Sequence, residues 1–380
     1  MPRVPAPSAI QRHSGSCVNP MGHTDSHTLI VGKTGMGKST MLSRLALEMA
    51  ESGRGLLLVD PHGDLAEAVA AEVPRWRRND LVLFDVTVSA ACPGLNPLRT
   101  VSAGERALVV SNVLATMRKL WPEFWGPRTE HILRHALLAL TEVRGATLAD
   151  AQLMLVDEKH RRWIVRQVKD EGALTFWTRE FPGYGQRLEA EVTAPILNKL
   201  GALLASPVVR EVVTKSRPRL DAGKAMDRSR IVIASLPKGR IGEDAALLLG
   251  GLLLGAFQHA TMARASVPTS ERIPFSIVVD EVGSFATQPF VEMIAEARKY
   301  GVRLLMATQS VAAMDEKLRR AILGNAGTIV SFRVGADDAE ILSREFAGEY
   351  GAENLMRLEV GEMVVRSGAA KPRLVSGIEA

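Results

Sequence analysis

The chain has 380 residues, of which 46% are hydrophobic and 23% charged, and its formal net charge is +5. This composition is typical of a globular protein with one large core or two smaller ones, and it excludes a low-complexity chain. The two cysteines, Cys17 and Cys92, are far apart and match neither a zinc nor a redox spacing, which excludes a disulfide framework and favours a cytoplasmic location.

The first quarter of the chain predicts an arm followed by alternating strands and helices. Residues 1–26 carry Pro, Ser, Gly and His without the apolar segment of a secretory signal, so we expect a disordered arm. Short apolar runs bounded by turn residues predict strands at residues 27–31, 54–60 and 81–85, with helical patterns between them. Strands that alternate with helices indicate parallel β-α-β units.

The first strand leads into a phosphate-binding motif. GKTGMGKS, Gly32–Ser39, fits G-x-x-x-x-G-K-[ST] and lies between a predicted strand and a predicted helix, where a P-loop requires it. Its glycines let successive amides point at phosphates, Lys38 would reach the β- and γ-phosphates, and the Ser39 hydroxyl would bind Mg²⁺. Lys33 occupies a free position, and we expect it to be solvated. The predicted nucleotide-binding residues are Gly32, Thr34, Gly35, Gly37, Lys38, Ser39 and Thr40.

Residues 104–224 differ in character from the segments on either side. Apolar residues recur there at a spacing of three and four, which predicts an all-α insertion domain. This segment has 19 Lys and Arg against 14 Asp and Glu, whereas the rest of the chain balances at 28 against 28. The excess fits nucleic-acid binding and a solvated helical surface about equally well. The candidates for contacts with a DNA backbone are Lys159, Arg161, Arg162, Arg166, Lys215, Arg217 and Arg219.

Four of the five tryptophans lie in the same helical segment, at Trp121, Trp125, Trp163 and Trp177. Aromatic residues at such positions either anchor a small helical core or offer platforms for base stacking. We interpret them as hydrophobic anchors.

The alternation of strands and helices returns after residue 225. SRIVIASL, PFSIVVDE, VRLLMATQS and TIVSFRV predict strands, with helices between them. The longest apolar run, Ala245–Phe257, has 13 residues, fewer than the roughly 20 that cross a bilayer, so we expect a buried helix and no transmembrane segment. The simplest architecture is one α/β domain with a mainly parallel sheet, residues 27–103 and 225–380, interrupted by the helical insertion.

A strand that ends in two acidic residues complements the P-loop. FSIVVDE delivers Asp280 and Glu281 at a carboxyl end of the sheet, where open α/β sheets bind ligands. Asp280 would hold Mg²⁺, usually through water. Glu281 could polarise the attacking water, which distinguishes hydrolysis from binding alone.

Two further residues are candidates for catalysis. Gln309 follows the strand VRLLMAT and would lie between Asp280 and the γ-phosphate if that strand neighbours both. Arg298 precedes this strand and could cross a subunit boundary to neutralise charge in the transition state. Arg333, in SFRVG, is a competing candidate for that role.

Asp60 and His62, in VDPHGDL, follow another strand end. They could line the edge of the active site, or they could belong to an ordinary turn, and the sequence favours neither interpretation.

Seven motifs in this order resemble the TraG/TraD-type conjugative coupling proteins of the HerA/FtsK superfamily of RecA-like pumping ATPases. The resemblance covers residues 27 to about 346, and its most specific part is the series from the acidic strand to SFRVG. The motifs are GKTGMGKST, VDPHGDL, WGPRTEHILRHALLAL, PILNKL, FSIVVDE, EARKYGVRLLMATQS and GNAGTIVSFRVGADDAE.

The resemblance implies a role for each matched residue. It makes Asp280 and Glu281 the Walker B pair with the catalytic glutamate, Gln309 the γ-phosphate sensor and Arg298 the arginine finger. It also implies a RecA-like fold, ATP and Mg²⁺ as ligands, a hexameric ring that moves DNA through its channel, and an all-α domain linked to DNA recognition. A relaxosome or membrane-channel protein would be a further partner.

Typical coupling proteins carry a pair of transmembrane helices before the motor, whereas here the P-loop begins at residue 32. We therefore expect a cytoplasmic protein, at most peripheral at the inner face of the membrane. The leading hypothesis is a DNA-translocating ATPase. The alternatives are a secretion or assembly ATPase that acts on protein, and a nucleotide-gated scaffold with little hydrolysis.

Overall fold

The computed structural model describes residues 26–88, 91–99 and 102–376. The predicted arm, apart from Ser26, and Cys17 lie outside these residues. Over the described residues the chain folds around one mixed sheet, with helices on both faces.

Nine strands of the described residues form this sheet, in the order β3-β4-β2-β5-β6-β1-β7-β8-β9. The seven strands from β3 to β7 in this order are parallel, whereas β8 and β9 are antiparallel additions at one edge. This confirms the predicted mainly parallel sheet; the antiparallel pair was not predicted. The strands are β1 (His27–Val31), β2 (Gly55–Asp60), β3 (Leu81–Asp85), β4 (Ile231–Ser235), β5 (Phe275–Val279), β6 (Val302–Thr308), β7 (Ala326–Ser331), β8 (Glu362–Ser367) and β9 (Arg373–Ser376).

The helices divide into those that flank the sheet and those between β3 and β4. The first set is α1 (Lys38–Glu51), α2 (Asp64–Glu72), α11 (Lys238–Ile241), α12 (Glu243–Ala263), α13 (Val282–Phe285), α14 (Gln288–Glu296), α15 (Glu316–Asn325), α16 (Ala336–Glu345) and α17 (Ala352–Met356). The second set is α3 (Arg106–Leu120), α4 (Pro127–Thr141), α5 (Leu148–Val156), α6 (Glu158–Val165), α7 (Glu171–Thr175), α8 (Gly185–Ala205), α9 (Pro207–Val213) and α10 (Ala222–Asp227). We refer to residues 103–227 as the helical segment, and its standing as a separate domain stays a prediction.

Alternating side chains of the central strands face two cores. Ile30 belongs to the core beneath α1 and α2, whereas Leu29 and Val31 belong to the core on the opposite face. That second core continues through α12 into the helical segment. The helical segment is therefore joined to the sheet by a shared hydrophobic core.

Helix α12 carries the longest apolar run and joins the sheet to the helical segment. Together with the turn that follows, it forms a 24-residue helix, Glu243–Ser266, which is long and apolar enough by composition to cross a membrane, and 72% of its most apolar window is buried inside the protein. Its buried glycines allow close packing: a Cβ added to Gly251 would lie 2.6 Å from Thr116 Cγ2 of α3, and one added to Gly250 would lie 2.3 Å from Phe285 Cε1 of α13.

The tryptophans of the helical segment differ in burial. Trp177 is buried, and its indole N–H donates to His135 O at 3.1 Å. Trp121 and Trp125 are partly buried against the core, as anchors would be. Trp163 is 52% exposed, so its side chain is no core anchor.

Candidate nucleotide-binding site

The P-loop connects the end of β1 to the first turn of α1. Gly32 N donates to Thr308 O at 3.3 Å, and Lys33 N donates to Arg333 O at 2.9 Å, so the neighbouring strands β6 and β7 hold the loop from both sides. Gly35 and Gly37 have φ values of 78° and 107°, which side chains rarely adopt. The loop therefore ends with the first amides of α1, which lack intrahelical acceptors, at the carboxyl edge of the sheet.

Lys38 lies inside this loop and is only 7% exposed. Its Nζ donates to Gly32 O at 2.6 Å and to Lys33 O at 3.4 Å. Burial lowers the pKa of its ammonium, and the carboxylates of Glu281 and Asp280 act in the opposite direction. The structure thus brings the P-loop lysine and the two acidic residues into one electrostatic site. Lys33 is exposed.

Phe332 forms the floor of the P-loop, and sequence reasoning did not assign it a role. It is fully buried. A Cβ added to Gly32 would lie 2.6 Å from Phe332 Cβ, and one added to Gly37 would lie 3.3 Å from its Cε1. The motif needs glycine at these positions partly because this ring lies directly against the loop.

Asp280 follows β5 and is 4% exposed. Its backbone amide donates to Val59 O at 3.0 Å, which places it at the same sheet edge as the end of β2. Burial, followed by the carboxylates of Glu281 and Asp60, raises the pKa of Asp280 to about 6 against the opposing effect of Lys38 and His62. Burial and the two neighbouring carboxylates therefore both disfavour the charged form of Asp280 in this structure. Among the described residues, no three His, Cys, Asp or Glu side chains are grouped so that they could hold a metal ion.

Glu281 adopts a left-handed backbone conformation, with φ 51° and ψ 56°. Its amide donates to Asp280 Oδ1 at 3.1 Å, and its Oε2 accepts the amide of Gln309 at 3.3 Å. The left-handed turn therefore directs the carboxylate to the end of β6. Because β6 lies between β5 and β1, Gln309 is positioned between the acidic residues and the P-loop, as its predicted role requires.

The loop that carries Gln309 is fixed by Asp338, another residue that sequence reasoning did not assign. Asp338 is 6% exposed, and its Oδ1 accepts Ser310 Oγ at 3.0 Å, Val311 N at 2.8 Å and Ala312 N at 2.9 Å. The only local signal was its position in the first turn of a helix, which acidic residues often occupy for other reasons.

Asp60 organises the turn after β2. It is fully buried, its Oδ1 accepts His62 N at 2.8 Å, and its Oδ2 accepts Gly63 N and Ala66 N, both at 2.9 Å. The carboxylate thus caps α2 and also lies close enough to Asp280 to raise the pKa of that residue. His62 is exposed at the same edge.

The two arginine candidates lie at different places. Arg298 is exposed in a turn ahead of β6, at the sheet edge opposite the P-loop, about 20 Å away by the length of the strand. The structure does not bring it to the nucleotide site of its own chain. Arg333 follows β7 and lies beside the P-loop, where its carbonyl accepts Lys33 N.

Several basic candidates of the helical segment have partners within the chain. Arg162 pairs with Glu158 at 3.2 Å, Lys215 Nζ donates to Cys92 O at 2.7 Å, and Arg219 donates to Ala91 O at 2.9 Å. Arg161 pairs with Glu189 at 3.4 Å and lies over the Phe181 ring. The other candidates are exposed, namely Lys159, Arg166 and Arg217.

Two family models match the chain. The TraM recognition site of TraD and TraG matches residues 274–358, and the central domain of the helicase HerA matches residues 17–87. The type 4 coupling protein DotL of Legionella pneumophila is 22% identical over 350 residues. The match covers 76% of this chain and 44% of DotL, so the chain spans less than half the length of this curated relative.

Solved structures share the fold over nearly the whole chain. The unbound conjugative coupling protein TrwB superposes with a TM-score of 0.70 at 15% identity, covering 94% of this chain and 86% of that one. VirB4 of Thermoanaerobacter pseudethanolicus superposes with a TM-score of 0.60 at 18% identity, covering 93% and 89%. Together with the family models and DotL, these similarities confirm the resemblance to TraG/TraD-type coupling proteins and support a P-loop NTPase.

Proposed function

We propose that the chain is a Mg²⁺-dependent ATPase motor that translocates DNA, as a coupling-protein-like component of conjugative or type IV secretion DNA transfer. The observation that carries the proposal is the position of Glu281, whose carboxylate accepts the Gln309 amide at the end of β6, one strand away from the P-loop. A protein that only binds nucleotide does not need a carboxylate there, whereas hydrolysis needs one to polarise water.

Each residue of the site would have a distinct task in hydrolysis. The P-loop amides and Lys38 would hold the phosphates, while Ser39 and Asp280 would hold Mg²⁺, which supplies neutralisation of the phosphate oxygens when it is bound. Glu281 would orient and polarise the attacking water, and Gln309 would sense the γ-phosphate. TrwB has been solved with ADP and Mg²⁺ and with non-hydrolysable analogues of ATP and GTP, which supports the same ligands here.

The remaining parts of the proposal concern the assembly. A homo-hexameric ring would place Arg298 of one chain near the nucleotide of its neighbour and enclose a channel for DNA. The match to the TraM recognition site of TraD and TraG supports docking to a relaxosome component. The motor would then work in the cytoplasm, at the inner face of the membrane when it is docked.

Steady-state ATP hydrolysis, with and without single- and double-stranded DNA, tests the proposal. We expect DNA to stimulate turnover and Lys38→Ala to abolish it. Lys371→Ala is the matched control, because that lysine side chain is 88% exposed and more than 300 positions after the P-loop in the sequence. We expect the apparent DNA affinity to fall steeply with rising salt, since backbone contacts release counterions.

The same experiment separates the alternatives. Turnover that no DNA changes would contradict translocation and favour a secretion or assembly ATPase. Turnover no higher than that of the Lys38→Ala variant would favour the nucleotide-gated scaffold.

A further inference from the structure

A lysine of the helical segment holds the turn that follows Glu281. Lys119, in the last turn of α3, donates from Nζ to Gly283 O and to Ala286 O, both at 2.7 Å. These two carbonyls belong to the short helix α13 and the residue that ends it. Lys119 therefore ties α3 to the segment that begins immediately after the proposed catalytic glutamate.

The ammonium of Lys119 is held in this position at an electrostatic cost. Although the residue as a whole is exposed, desolvation lowers the pKa of its ammonium to about 8, and Asp315 is the charged group that opposes this shift. Asp315 caps α15 through the amides of Lys317 and Leu318. A neutral donor would hold the same two carbonyls without desolvating a charge.

The turn held by Lys119 is hydrogen-bonded to the backbone of Glu281. Glu281 has positive φ, a conformation that costs on the order of 1 kcal/mol in a non-glycine residue and persists only when its surroundings impose it. Ser284 N donates to Glu281 O at 2.9 Å, and Ala286 N donates to Val282 O at 2.9 Å. A shift of α13 would therefore move the backbone of Glu281 and change its contact with Gln309.

Helix α3 cannot slide freely relative to the sheet. Thr116 lies against Gly251 of α12, and Asn112 Nδ2 donates to Gly255 O at 3.1 Å and to Gln258 Oε1 at 2.7 Å. These contacts fix α3 on α12 within about two turns of Lys119. Lys119 therefore forms a direct polar connection between a firmly packed helix and the turn at 282–286.

We propose that Lys119 is a positioning residue that couples the helical segment to Glu281. It holds the turn at 282–286, and with it the Glu281 carboxylate, in the arrangement that hydrolysis needs. Rearrangements of the turn on nucleotide binding reach α3 through the same two hydrogen bonds. This inference rests on the proposed function, because it takes Glu281 as the catalytic glutamate.

Amide hydrogen exchange on the full chain, with and without Mg²⁺ and the analogue AMP-PNP, tests the coupling directly. In the wild-type protein we expect nucleotide to change protection both at 282–286 and in α3. In Lys119→Met we expect the change at 282–286 alone. Arg118→Met is the matched control, since this neighbouring cation on α3 bonds Glu130 instead of α13. Equal responses in wild type and Lys119→Met, or no response of α3 in the wild type, would overturn the proposal.

Kinetics distinguish positioning from a merely structural role. We expect Lys119→Met to lower kcat by about tenfold or more while the Kd for AMP-PNP changes less than about twofold. Lys119→Arg should keep most of the wild-type kcat, because a guanidinium can donate to the same two carbonyls. If Lys119→Met weakened AMP-PNP binding and lowered Tm in parallel with kcat, its role would be structural and the proposal would be overturned. ATP hydrolysis that DNA does not change would contradict the proposed DNA translocation. It would not affect the comparison of Lys119→Met with the wild-type protein.

Discussion

Glu281 combines an unfavourable backbone conformation with a carboxylate directed at the neighbouring strand. Its φ of 51° is one of three positive values at non-glycine residues among the described part of the chain. Such strain persists where surrounding contacts impose it and often occurs at functional sites. Here the contacts are the Asp280 side chain, the Gln309 amide and the turn held by Lys119.

Glu281→Gln should abolish turnover while it preserves nucleotide binding. The carboxamide retains the shape of the side chain but cannot act as a base, and general-base catalysis is worth about 10²–10⁴ in rate. ATP hydrolysis and AMP-PNP binding measure the two effects separately. Glu271→Gln, an exposed glutamate ahead of β5, is the control. Wild-type turnover in Glu281→Gln would remove this residue from the mechanism.

His27 should make the stability of the fold depend on pH. It is 1% exposed, its Nδ1 accepts Leu304 N at 3.1 Å, and its Nε2 therefore donates to Ile294 O at 3.0 Å. Burial is the main cause that lowers its pKa from 6.5 to about 4. The hydrogen bond to Ile294 O acts in the opposite direction, and the positive charges of Arg298 and Arg303 lower the pKa further. The His27 imidazole is therefore neutral in the folded protein at neutral pH.

The sign of this effect follows from proton uptake. Between pH 6.5 and 4 the unfolded chain binds a proton at His27 that the folded chain does not, so the free energy of unfolding falls as pH falls, by up to about 1.4 kcal/mol per pH unit. Denaturant unfolding of the wild type and of His27→Gln between pH 7.5 and 4.5 measures the contribution. An identical pH dependence in both proteins would contradict the prediction.

At the scale of elements, the strand order assembles the site. β6 lies between β5, which precedes the acidic pair, and β1, which precedes the P-loop. Phe332 follows β7 and lies against the loop. Each of these strands is buried, and all run in the same direction, so their carboxyl ends meet at one edge. The P-loop is thus held by packing as well as by its own sequence.

Gly32→Ala should disrupt this packing. The added methyl group would lie 2.6 Å from Phe332 Cβ, and overpacking of this kind costs typically about 1–3 kcal/mol. We expect a lower free energy of unfolding together with weaker AMP-PNP binding. Gly239→Ala is the control, because a Cβ there meets no atom within 4 Å. A Gly32→Ala protein with wild-type stability and affinity would show that the loop accommodates the methyl group.

At the scale of the whole molecule, the sheet separates Arg298 from the P-loop of the same chain. The arginine precedes β6, whereas Gln309 follows it, so the two residues lie at opposite edges. A role for Arg298 in catalysis therefore requires a second subunit, and this requirement links the catalytic proposal to the proposed ring.

Mixing two inactive variants tests that link. Arg298→Ala and Lys38→Ala should each lack turnover alone, because one lacks the arginine supplied to its neighbour and the other lacks the P-loop lysine. A mixed ring should regain part of the activity, since some interfaces combine an intact Lys38 with an intact Arg298. Lys299→Ala, an adjacent exposed cation, should remain active throughout. Wild-type turnover in Arg298→Ala would exclude the arginine from the reaction.

Features that depend on a few adjacent residues were predictable from the sequence alone. The P-loop, the strand that ends in Asp280, and most strands and helices follow from local spacing and turn chemistry, because burial periodicity and capping act over a few residues. The antiparallel strands β8 and β9 were not predicted, and neither was the exposure of Trp163, since neither depends on local pattern alone.

The sequence by itself determined the mainly parallel α/β fold, the P-loop motif and the identity of the acidic pair. Only the tertiary structure decided that Phe332 supports the loop, that Asp338 fixes the Gln309 segment, and that Lys119 reaches the turn after Glu281. The reason is physical: Lys119 and Gly283 are separated by 164 positions, and a contact at that separation depends on how the sheet and its helices pack together.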